Sequence, residues 1–167
     1  MKRAGIIGGI GPQSTLDYYK EIVNGYRQRS ASDDYPHILI NSINMTRMLR
    51  LVEDNNYTEL TGFLVTEIDN LKHAGADFAL IASNTPHVVF DEVNRRSPIP
   101  LLSIVEATVN KAVSSGLSRL LLIGTMFTMK SGFYTDCMLR HGIEVFVPSE
   151  DDQKIIHDII FHETNQY

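Results

Sequence analysis

The feature that most constrains this chain is an alternation. Short apolar runs of strand length recur, each separated from the next by a stretch with helical periodicity. Strands are predicted over 4–8, 37–42, 77–83, 99–103, 119–124 and 143–148, and helices over 14–29, 59–73, 88–95, 105–114, 130–141 and 151–162. The first helix carries Leu16, Tyr19, Ile22, Val23 and Tyr26 at helical spacing. The second carries Leu60, Phe63, Leu64, Ile68 and Leu71, with Gly75 as its stop. A polar loop separates the first helix from the second strand over 30–36. The strands are apolar on both faces, so the sheet must be parallel and covered on both sides. The fold class is therefore α/β, parallel sheets with helices on both faces.

Parallel sheets of this kind bind ligands at the carboxyl ends of their strands. Here those ends carry Gly8-Gly9-x-Gly11, Asn41-Ser42-x-Asn44, Ser83-Asn84-Thr85-x-His87, Ser103 and Gly124-Thr125. No Asp, Glu, Lys or Arg stands in these clusters. A rim of hydroxyls, amides and backbone N–H groups suits a small anion such as a carboxylate or phosphate. The same residue types also make turns and helix caps, so one cluster alone decides nothing.

Composition narrows the classes. The net charge is −5 and there is no dense Lys/Arg block, which argues against a nucleic-acid groove or a membrane-surface patch. The start, MKRAGIIGGIG, has the basic beginning of a signal peptide, but its apolar run is short, broken by glycines and without a cleavage motif. No apolar stretch of the sequence is long enough to span a bilayer. The single cysteine, Cys137, cannot form an internal disulfide, and no Cys/His pair has zinc-site spacing. A cytoplasmic location is expected.

The segment GGIGPQS sits where a dinucleotide fingerprint would. That fingerprint needs an acid at the end of the second strand to hold a ribose, and this strand ends in Asn41-Ser42. Nor does a Lys-Ser/Thr pair follow, as a P-loop requires. The glycines still allow a ligand close to the backbone, with Pro12 and Ser14 beginning a helix. Cys137 falls inside a predicted helix beside Phe133, Tyr134 and Met138, and reads as a small buried hydrophobe. His37, His73, His141, His157 and His162 form no spaced cluster and read as structural or solvated. His87, just after Ser83, is open between a capping role and a catalytic one.

Taken together, GIIGGIGPQST, AGADF, NTPH, IPLLSIVEAT, LLIGTMFTMKSGFY and GIEVFVPSEDDQ resemble the aspartate/glutamate racemase family, in the right order and over nearly the whole chain. The resemblance implies two similar Rossmann-like domains facing across a cleft, here 1–104 and 105–167. It implies a racemase that needs neither pyridoxal phosphate nor metal, so no cofactor is expected. Two cysteines flank the substrate's α-carbon in such enzymes; one thiolate removes the α-proton and the opposite thiol returns one to the other face. By resemblance the substrate is an acidic amino acid, and homodimers are common in the family.

Two departures follow from that likeness. The first family cysteine falls at Ser83, whose hydroxyl is a far weaker acid than a thiol and has no evident base beside it. The second family cysteine has no counterpart in this sequence, and the second domain is expected to be incomplete. Two-base racemisation should then be lost or severely reduced. By resemblance Ser83 holds the base position. Asn84 and Thr85 bind carboxylate or developing negative charge, and Gly9, Gly11 and Ser14 shape the pocket floor. Thr125 and Thr128 contribute from the second domain. Asn44 and Arg47 lie just beyond the second strand; Arg47 is a candidate partner for a side-chain carboxylate or else a solvated loop arginine. The alternative to an enzyme is a non-catalytic protein that binds acidic amino acids.

Overall fold

Strand β1 (Ala4–Gly8) is buried along its whole length, and the first part of the molecule is built outward from it. The computed structural model describes residues 1–30 and 34–163, and the chain divides into two units after Ser103. Of the loop predicted over 30–36, residues 31–33 lie outside the described residues.

In the first unit β1 is joined by β2 (Ile38–Ser42), β3 (Phe78–Ile81) and the short β4 (Leu101–Leu102). All pairings are parallel, in the order β2-β1-β3-β4, with Ile6 opposite both Ile40 and Leu80. Alternation along β1 and β3 sends apolar groups to both faces. On one face Ile6, Leu80 and Ala82 pack with Tyr18 and Ile22 of α1 (Pro12–Arg29). On the other, Gly5 lies against α3 (Tyr57–His73); a Cβ there would come within 3.0 Å of Leu71 Cδ1. Helix α3 buries Leu60, Leu64, Ile68 and Leu71. A 3-10 turn (Thr85–Val89) leads from β3 into α4 (Phe90–Arg96). The predicted parallel α/β architecture with helices on both faces is what the chain adopts.

Three local readings need correction. Helix α2 (Met45–Glu53) was not anticipated, although it buries Met48, Leu51 and Val52 and is capped by Asn44. In α1, Leu16 and Tyr19 face outward, 58% and 48% exposed, because Tyr18 and Ile22 supply the packed face. The helix predicted over 130–141 is α7 (Phe133–Arg140), and the short α6 (Met126–Lys130) that precedes it, after α5 (Ile104–Ser114), was not anticipated. Gly132, with φ +79°, breaks them apart.

The second unit carries a two-stranded parallel sheet of β5 (Arg119–Leu121) and β6 (Glu144–Phe146). Its core joins Val105, Val109, Ala112, Tyr134, Cys137, Met138 and Ile143, with Leu120 and Val145 packed against it. Cys137 is therefore the buried apolar residue its sequence context suggested. Helix α8 (Glu150–Asp158) follows and widens into a π-type turn at Ile159–Glu163. No helix of the described residues is long and apolar enough to cross a membrane.

Candidate functional site

In the strand order β2-β1-β3-β4 the chain leaves β1 toward β2 and later returns on the other side to form β3. The crevice of such a sheet opens at the carboxyl ends of the two strands that flank this reversal. These are β1, which runs into Gly8-Gly9-Ile10-Gly11, and β3, which runs into Ser83-Asn84-Thr85.

The turn after β1 is tightly determined. Gly9 has φ +79°, and a Cβ there would sit 2.5 Å from Ser42 Oγ and 2.8 Å from the Ile43 carbonyl oxygen. Its N–H donates to Thr15 Oγ1 at 2.9 Å, and the Ile43 N–H donates to the Gly8 carbonyl at 2.9 Å. Gly11 precedes Pro12, the first residue of α1, where a missing N–H is harmless. Ser14 Oγ lies 2.8 Å from the Gly11 carbonyl and 2.8 Å from the Ala82 carbonyl. Its one proton can serve one of them at a time, so Ser14 braces the β1 turn to the end of β3. To an anion it presents only oxygen lone pairs.

Ser83 follows at once, half-buried, with Asn84 exposed and Thr85 only 9% exposed. His87 is 4% exposed, and its ring stacks on Phe90 with centroids 5.0 Å apart and planes 2° apart. Nδ1 lies 2.9 Å from the Ser83 carbonyl oxygen. A carbonyl only accepts, so Nδ1 carries a hydrogen and donates it. Burial pushes the His87 pKa down to about 4, against smaller opposing contributions from hydrogen bonds to the Ser83 and Asn84 backbone. His87 is thus neutral at pH 7. Its Nδ1 is engaged by main chain, and the ring lies within the turn and not at its cap, which Asn84 occupies.

Beyond β2, Asn44 Oδ1 accepts the Arg47 N–H at 2.9 Å as the N-cap of α2. Arg47 is therefore a helix residue and not a loop one. Its guanidinium lies 3.7 Å from Glu59 Oε1 and 4.5 Å from the centre of the Phe63 ring. In the second unit Thr125 caps α6, its Oγ1 3.3 Å from the Thr128 N and 3.2 Å from the Thr128 hydroxyl. Thr128 is 3% exposed.

The structure thus brings Gly9, Gly11 and Ser14 to the end of β1, next to Ser83, Asn84 and Thr85 at the end of β3. Asn44 and Arg47 stand beyond β2, and Thr125 and Thr128 belong to the second unit. One residue escaped the sequence reading. Thr15 receives the Gly9 N–H, and its place in the first turn after a glycine loop was the available signal. His157, read as structural or solvated, has a structural role: its Nδ1 accepts the Met126 N–H at 3.2 Å across 31 residues.

The pattern of the Asp/Glu/hydantoin racemase family matches residues 7–166. The chain belongs to this family. Within it, the chain is 28% identical over 160 residues to the broad specificity amino-acid racemase RacX of Bacillus subtilis, covering 93% of this chain and 68% of RacX. Among solved structures, an aspartate racemase homologue from Pyrococcus horikoshii superposes with a TM-score of 0.85 at 36% identity, covering 98% of this chain and 71% of that one. The Picrophilus torridus aspartate racemase shares the fold, with a TM-score of 0.74 at 23% identity, covering 99% and 78% of the two chains. By family the protein is an amino-acid racemase, an isomerase.

Proposed function

We propose that the chain acts on acidic amino acids, aspartate or glutamate, whose carboxylate lies against the ends of β1 and β3. The ancestral reaction is cofactor-independent interconversion of L and D forms by two bases on opposite faces of the α-carbon. The observation that carries this reading is the meeting of two uncharged, glycine- and hydroxyl-bearing strand ends where the strand order reverses. Asn84 and Thr85 serve the carboxylate, Gly9 and Gly11 let it approach the backbone, and Ser14 holds the two strand ends together. Asn44 and Arg47 serve recognition of the side-chain carboxylate, and Thr125 and Thr128 are the substrate-binding candidates of the second unit. A homodimer, a cytoplasmic location and two domains divided near residue 104 complete the proposal.

Ser83 stands at the position of the family's first base. An α-proton beside a carboxylate is very weakly acidic, so the base must be strong and well placed. A thiol, with a reference pKa of about 8.5, can be tuned to that task, whereas a serine hydroxyl requires an adjacent base. Nδ1 of His87 does not supply one, because it donates to the Ser83 carbonyl. Two-base turnover is therefore impaired.

Ser83→Cys should restore a base on one face. In deuterated solvent the variant should exchange the α-proton of one aspartate enantiomer without full racemisation. A folded variant that exchanges neither enantiomer counts against the reading. The same hydrogen bond favours a second reading, a protein that binds acidic amino acids without turning them over. Calorimetry with L- and D-aspartate distinguishes it: saturable binding without turnover supports a binder, and no heat with either removes it.

A further inference from the structure

The turn that follows β3 lacks the backbone donors that would ordinarily serve the Ser83 carbonyl. In a 3-10 turn that carbonyl would take the N–H of residue 86, but Pro86 has none. In an α-helix it would take the N–H of residue 87, but that N–H goes to the Asn84 carbonyl at 2.9 Å. The substitute is the side chain of the same residue, with His87 Nδ1 2.9 Å from the Ser83 oxygen. The ring is held from turning by burial to 4% exposure and by its flat stack on Phe90.

We propose that His87 is a positioning residue that orients the Ser83–Asn84 peptide for ligand. Among the described residues there is no cis peptide bond, so the C=O and N–H of this peptide point in opposite directions. Drawing the Ser83 carbonyl toward the His87 ring turns the Asn84 N–H away from that ring. It also fixes the backbone from which the Ser83 side chain projects. Because burial keeps the ring neutral, His87 acts as a fixed donor and takes no proton from substrate.

The proposal rests on the reading that a carboxylate binds at this strand end, and its test separates the two. Three variants of the full chain differ in one donor. His87→Asn keeps a side-chain N–H at the Nδ1 position, His87→Gln moves it one bond further out, and His87→Phe keeps a ring without a donor. Hydrogen exchange at the amides of 87–89 should speed up roughly tenfold in the Phe and Gln variants and return close to native in the Asn variant. Affinity for aspartate should fall in the same order and be rescued by Asn alone.

Native exchange and affinity in a folded Phe variant, or identical behaviour of Asn and Gln, would overturn the proposal. If the Phe variant does not fold, the Asn–Gln comparison decides. If the native protein binds no aspartate, the site reading fails while the exchange comparison still judges His87.

Discussion

At the scale of single residues, the glycines and the Ser83-Asn84-Thr85 cluster were legible because the strand-end rule needs only strand positions. The part played by Ser14 was not legible, because its partner, the Ala82 carbonyl, is 68 residues away. Arg47 was readable as a charge near a strand end, but not as the partner of Glu59. Gly9 offers a sharp test of the β1 turn. An alanine there would be strained at φ +79°, and its Cβ would meet the Ile43 carbonyl at 2.8 Å, backbone that cannot swing aside. Gly62, inside α3, has nothing within 4 Å of its virtual Cβ. Gly9→Ala should destabilise the protein by about 1–3 kcal/mol, while Gly62→Ala should stabilise it by about 0.5–1 kcal/mol. Thermal unfolding of both variants measures the contrast, and a Gly9→Ala protein as stable as native would refute the account of the turn.

Among elements, those with long or strongly apolar patterns were readable: β1, β3 and α3 declare themselves by run length and spacing. Helix α2 did not, for two physical reasons. It is short, and it starts almost directly after β2, so its cap Asn44 reads equally well as part of a binding rim. Helix α6 did not either, since it is only five residues long and ends just before the left-handed Gly132. The cap now yields a prediction. Asn44 Oδ1 satisfies the Arg47 N–H, one of the otherwise unbonded donors of the first turn. Asn44→Ala should cost about 1 kcal/mol in urea unfolding, and Asn44→Ser should keep most of the native stability, since serine caps nearly as well. Equal losses in the two variants would refute the capping account.

For the whole molecule, alternation gave the layer architecture, but strand order lay beyond it. Connection lengths are compatible with more than one way round β1, and only the structure shows the reversal between β1 and β3. Acid sensitivity is also a property of the whole chain. Exposed ion pairs such as Arg47–Glu59 and Lys130–Glu150 contribute little to stability. The titration of His87 weighs more. An unfolded histidine takes a proton near its model value of 6.5, whereas folded His87 resists until about 4. Above 6.5 the group is neutral in both states and has no effect. As pH falls from 6.5 to 4 the unfolded chain gains a proton the folded chain refuses, so stability declines, and below 4 this decline levels off. The total is roughly 3 kcal/mol. His87→Asn lacks the titrating group while keeping every carboxylate, so carboxylate titration cancels between the two proteins. Urea unfolding of native and variant above pH 6.5 and near pH 4 avoids the region around the pI of 5.6, where vanishing net charge promotes association. The native protein should lose the larger share of its stability toward acid. Parallel losses in the two proteins would mean that the His87 ring takes a proton as readily in the folded state as in the unfolded one, and would refute the account of its burial against Phe90.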